Sequence, residues 1–167
     1  MNGRYRLLAE RIANELLSLE AVVKRATGTL DRLTSGEADH EYFVSAAALD
    51  LHGLYTGLER LFSAIATEVD GARPHGLAWH RELLAQMTLE VKDVRPAAIS
   101  ADSAQALTEY LEFRHIVRNV YAYTLKEDRV TRLLREVSAM YTRVRDELRE
   151  FAAFLEQVAR DSPPGSH

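Results

Sequence analysis

The sequence of 167 residues, 47% hydrophobic and 28% charged, is one domain's worth of chain with enough apolar material for a real core. It contains no cysteine, which excludes disulfides and thiol nucleophiles, and no apolar run near the roughly 18 residues of a membrane span. Its formal net charge of −4 lacks the basic excess of a constitutive duplex binder, so a nucleic-acid site has to be a local basic patch on a mildly acidic body.

Met1 to Glu10 carries Arg4, Arg6 and Glu10 in place of the apolar stretch of a secretory signal, so a cytoplasmic location is expected. Proline and glycine fall in clusters, and helical periodicity fills the intervals between them. A first helix is predicted over 5–33, where Leu8, Ile12, Leu16, Leu19, Val23, Ala26, Leu30 and Leu33 form one stripe. A second is predicted over 41–69, with Asp39 as its N-cap and Leu51, Leu54, Leu58, Leu61, Phe62, Ile65 and Val69 facing inward. A shorter third helix is predicted over 77–90, carrying Leu83, Leu84 and Met87. There Trp79 is expected as a core anchor and His80 as a cap or surface residue.

The fourth helix is predicted over 103–124, opened by Asp102 and Gln105 as a capping box. The fifth is predicted over 128–160, with Val130, Leu133, Val137, Met140, Val144, Leu148, Phe151, Leu155 and Val158 on one face. The tail 162–167, with Pro163, Pro164 and Gly165, is expected to be disordered. Three long and two shorter helices joined by short loops imply a single all-α domain over 1–161, an antiparallel up-and-down helical bundle of about five helices.

The chemistry concentrates on the fourth predicted helix. At about 100° per residue, Phe113, Ile116, Val117, Val120 and Tyr123 fall on one side. Thr108, Glu112, Arg114, His115, Arg118 and Asn119 fall on the other, with Tyr121 at the border. A polar arc on an amphipathic helix is ordinarily a solvated face. This one mixes two arginines, a histidine and an asparagine with a single acid, where solvated faces usually pair Glu with Lys at i,i+4. Such side chains bind phosphate and move protons. Glu112-x-x-His115 also fits the carboxylate–histidine step of di-iron bundles, but its other copy, Glu37-x-x-His40, falls in a loop. Neither a metal nor another cofactor is therefore expected.

Arg114-x4-Asn119-x-Tyr121 resembles the Arg-x4-His-x-Tyr motif of HepT-like toxins, ribonucleases of the HEPN superfamily, with Asn119 where the motif has His. Glu59-Arg60-Leu61-Phe62, Asp70-Gly71, Trp79-His80-x-x-Leu83-Leu84 and Arg95-Pro96 are similar to segments of the same family. The likeness extends over about residues 4–160. It implies a homodimer that brings two motifs to one cleft and cuts RNA without metal. Arg114 would hold the phosphate, with Arg118 one turn on widening the anion site. Position 119 would transfer a proton as the ribose 2′-hydroxyl attacks, and Glu59 would line the cleft. The resemblance also implies a toxin–antitoxin system, in which an MntA-like nucleotidyltransferase antitoxin silences the toxin by adenylylating Tyr121.

Asn119 alters that chemistry, because an amide does not titrate near neutral pH. Two readings stay open. In one, His115, a turn earlier on the same face, does the work of the missing histidine. In the other, the chain is a catalytically inactive HEPN module that binds RNA, a nucleotide or a partner protein. The first and fifth helices are longer than a compact bundle of this size needs, and their exposed ends, with apolar residues such as Leu30 and Phe154 to cover, favour a dimer without marking which surface pairs.

Overall fold

The computed structural model describes residues 2–36, 39–118 and 125–161. Among them are five helices: α1 (Asn2–Thr34), α2 (His40–Glu68), α3 (Trp79–Met87), α4 (Ala101–Arg118) and α5 (Glu127–Asp161). No strand occurs among the described residues, beyond one isolated antiparallel bridge between Val91 and Arg95. The all-α expectation holds. The predicted end of the fourth helix, 119–124, and the tail 162–167 lie outside the described residues.

Contacts between helices fix their directions. Arg4 near the start of α1 donates to the carbonyl of Thr67 near the end of α2 at 3.2 Å, and Arg25 pairs with Asp50 at 3.0 Å. Arg6 and Glu10 share a surface pocket with Glu156 and Arg160, while the Tyr141 hydroxyl donates to the carbonyl of Leu16 at 2.5 Å. Arg132 pairs with Glu109 at 2.6 Å and Arg129 with Glu112 at 3.6 Å. Thus α1 runs against both α2 and α5, and α4 runs against α5. The four long helices alternate in direction, with α3 inserted between α2 and α4.

The core follows the predicted stripes. Leu8, Ile12, Leu16 and Leu19 of α1 pack with Leu51, Leu54, Leu58, Phe62 and Ile65 of α2 and with Val137, Val144, Leu148 and Leu155 of α5 in one buried cluster. Each such side chain contributes on the order of 1.5–3 kcal/mol when removed from water. At Gly57 the first two helices come close: a Cβ there would stand 2.5 Å from Leu19 Cδ2 and 3.0 Å from Glu15 Oε1.

The helix ends depart from expectation. Asp39 has φ 71° and makes no side-chain cap; its backbone carbonyl accepts from the amides of Tyr42 and Phe43 at 2.9 and 3.2 Å instead. The cap of α4 is Ser100, whose Oγ accepts from the Ser103 amide at 3.1 Å, so Asp102 lies inside the first turn. Leu30 and Phe154 pack partly buried against the core. The large apolar side chains left exposed are others, among them Leu7, Leu17, Tyr42, Leu49 and Leu77.

The third helix stops at Met87 because the chain after it is bound by a buried ion pair. The Arg95 side chain is fully buried. Its Nε and Nη2 donate to the two Asp70 oxygens at 2.5 and 2.8 Å, a fork geometry that suits guanidinium and carboxylate. Its Nη1 donates to the carbonyls of Leu89 and Pro96 at 2.9 and 3.0 Å. Gln86 adds a bond from Nε2 to Asp70 at 2.7 Å. The end of α2 is thereby tied to the α3–α4 connection. Removing one partner leaves the other charged and buried, so Asp70→Ala or Arg95→Ala should each cost about 3–5 kcal/mol in urea denaturation. Replacing both with apolar residues of similar volume should recover most of that loss.

Candidate functional site

Two helical stripes each carry a charged residue where an apolar one belongs. On α4, Leu107, Tyr110 and Leu111 are buried, and Arg114 continues them at i+7. On α2, Tyr55, Leu58 and Phe62 are buried, and Glu59 sits among them. The two charges meet: Arg114 Nη2 lies 3.3 Å from Glu59 Oε1, and Arg114 Nε donates to Thr56 Oγ1 at 3.4 Å. Arg114 is 8% exposed and Glu59 6%. The Arg114 Nη1 is buried and has no hydrogen-bond partner among the described residues.

The same carboxylate holds a third group. His80 Nδ1, on the first turn of α3, is 2.5 Å from Glu59 Oε2. The His80 ring stacks on Trp79, with centroids 3.6 Å apart and a 30° tilt. On another side it meets His115 of α4 edge-on, at 5.2 Å and 79°. The Arg73 guanidinium lies 4.4 Å from the centre of the Trp79 ring, within range of a cation–π attraction. Beside the cluster runs an open groove of about 430 Å³, lined by residues that include Thr56, Glu59, Arg60, Arg73 and Trp79.

The charges leave their mark on nearby groups. Burial, then the neighbouring His80 and Arg114, lower the pKa of His115 from its ordinary 6.5, with Glu59 opposing. Burial, then Arg114 and Arg118, lower that of His52, again against Glu59. Burial, reinforced by Glu59, raises that of the Tyr55 hydroxyl. A guanidinium and an imidazole share one buried carboxylate, next to a guanidinium nitrogen that has no hydrogen-bond partner among the described residues.

Arg114, on the polar arc of the helical wheel, is buried in the structure, because the stripe from Leu107 through Tyr110 and Leu111 carries it inward. Glu59 does belong with it, as a buried hub. His115 and Arg118 are exposed on the last turns of α4, and His115 adjoins the cluster. Glu112 is engaged elsewhere, with Arg81 at 3.3 Å and Arg129 at 3.6 Å. Asn119 and Tyr121 lie outside the described residues. Trp79 is half-buried at the rim and packs against the core, and His80 is neither cap nor surface residue. The sign that could have found His80 is the buried position of Glu59, which demands a compensating partner.

An alternating all-α bundle, with a buried arginine of its fourth helix held by a carboxylate of its second, is a HEPN-like helical module. The family model described as HepT-like protein matches residues 46–155, and the chain belongs to that family. The matched span includes Glu59, His80, Arg114, His115 and Arg118. No curated protein and no solved structure matches the chain.

The lowered pKa values have a defined sign. The folded state disfavours the proton on His52 and His115, so the unfolded chain takes protons up first. Their effect is absent well above 6.5, and stability is lost as the pH falls from there toward the folded values. In an NMR titration both imidazoles should show midpoints below 6.5. Arg114→Gln should move both upward, because it removes a neighbouring positive charge. Midpoints unchanged in that variant would show that the guanidinium does not act on these rings.

Proposed function

We propose that the chain is an RNA-cleaving HepT-like toxin module that grips a phosphodiester at Arg114 and cuts beside the ribose 2′-hydroxyl without a metal. The observation that carries this reading is the state of Arg114: buried, fixed by Glu59 and Thr56, with Nη1 lacking a partner. A buried donor left unsatisfied costs about 1–3 kcal/mol, and a phosphate oxygen would remove that cost. A guanidinium already pinned in place also loses little freedom when the phosphate arrives.

Arg118 at the end of α4 and Arg73 along the groove extend the positive surface on either side. They make a local patch for neighbouring phosphates on an otherwise acidic chain. In this reading two copies pair around the Arg114 clusters in the cytoplasm. The antitoxin is an MntA-like nucleotidyltransferase that adenylylates Tyr121. The second reading, a non-cleaving HEPN module that binds RNA or a partner protein, is favoured by Asn119, whose amide does not transfer protons at neutral pH.

Incubation of single-stranded RNA with the purified protein in a chelator should yield fragments ending in 2′,3′-cyclic phosphate and 5′-hydroxyl. Arg114→Ala, checked for helix content by circular dichroism, should lower the cleavage rate by roughly a hundredfold or more, as loss of a charge-stabilising donor does. RNA left equally intact by wild type and variant would sink the ribonuclease reading; binding without cutting would support the second one.

A further inference from the structure

Asn119 leaves the ribonuclease reading without a titrating group at the motif position. Of the imidazoles near Arg114, two also meet each other. His115 follows Arg114 in the chain, and His80 shares Glu59 with it. Their rings lie 5.2 Å apart and nearly perpendicular, so a phosphate held at Arg114 would be within reach of both.

The two rings sit in different surroundings. His80 gives Nδ1 to Glu59 at 2.5 Å, which sets its orientation and leaves Nε2 as its working nitrogen. This is the way a carboxylate positions a catalytic imidazole elsewhere. The groups facing His80 are Glu59 from α2, Trp79 on its own helix, and Arg114 and His115 from α4. Those facing His115 include His80 and Arg81 from α3, Arg114 on its own helix, and Glu59 from α2. Burial, His80 and the two guanidinium groups outweigh Glu59 and favour the neutral form of His115. An imidazole anchored on a carboxylate beside one set among guanidinium groups is the kind of pair to which acid and base roles are assigned.

We propose that His115 and His80 are the proton-transfer pair of this site, His115 the base and His80 the acid, both within reach of a phosphate held by Arg114. The proposal rests on the ribonuclease reading above. His115 takes the proton of the 2′-hydroxyl as the 2′-oxygen forms a bond to phosphorus. The bond from phosphorus to the 5′-oxygen breaks, and its electron pair stays on that oxygen, which receives the proton of His80 Nε2. The products are a 2′,3′-cyclic phosphate and a 5′-hydroxyl. Exchange with water restores both rings.

The test compares pH–rate profiles of the full chain with those of His80→Ala and His115→Ala, on a short RNA and on the same RNA with sulfur at the 5′-bridging position. A thiolate leaves without being protonated, so the sulfur substrate removes the need for an acid. The wild-type profile should be bell-shaped. Each variant should lose about 10²–10⁴-fold on ordinary RNA, His115→Ala with loss of the acidic limb and His80→Ala with loss of the alkaline limb. The sulfur substrate should bring His80→Ala back to within roughly tenfold of wild type and leave His115→Ala slow. A His80 that merely props the site would show no such selective rescue. If His80→Ala does not fold, His80→Gln, which keeps a donor toward Glu59, takes its place in the same comparison. Arg114-dependent cleavage that neither histidine variant slows, or a His80 variant that sulfur does not rescue, would overturn the pair and leave the ribonuclease reading standing. RNA untouched by wild type would overturn both.

Discussion

Glu59 is the interaction on which the site depends. One buried carboxylate from α2 meets a guanidinium from α4 through one oxygen and an imidazole from α3 through the other. Taking these charges out of water is expensive, and the mutual attraction offsets the cost only when the geometry is good. An apolar triad in the same space would hold the helices together at least as well. What the polar version adds is position: an arginine and a histidine fixed relative to each other before any ligand arrives. Local rules of core composition broken at one place on three helices are the usual mark of a functional site.

The family match begins after α1 and ends within α5, so it covers the helices that build the site and leaves α1 outside. Yet α1 cannot be peripheral to the fold. It supplies Leu8, Ile12, Leu16 and Leu19 to the core, and the carbonyl of Leu16 receives the Tyr141 hydroxyl of α5. The bundle divides its labour accordingly. The long α1–α5 seam provides mainly apolar cohesion, and the α2–α3–α4 side carries the buried charges.

The helices were legible in the sequence because long amphipathic stripes repeat the same signal many times. Across eleven buried positions from Val130 to Leu155 in α5, no single misjudged residue shifts the face. Connections offer no such repetition. Whether Asp39 caps through its side chain or its backbone, and whether Arg95 is a surface charge or a buried staple, depends on tertiary partners. The site lies between these cases. Arg114 was visible through its motif, but a rule that sends charges outward placed it on the wrong side of its helix. His80 was not visible, because its role comes from a carboxylate 21 residues earlier in the chain.

The nine residues of α3 are fewer than the roughly 12–15 at which an isolated helix becomes even marginal in water. Ala78 at its start offers no capping side chain. It persists because Leu83, Leu84 and Met87 are buried, because His80 is anchored at one end, and because the Met87 carbonyl accepts from the amides of Ala98 and Ile99 at 2.8 and 3.3 Å at the other. Elements held by their neighbours more than by themselves open first on warming, ahead of the long helices. The imidazole on this short segment would then drift from Glu59 while the four-helix frame is still intact, and heat would disarm the protein before it melted it.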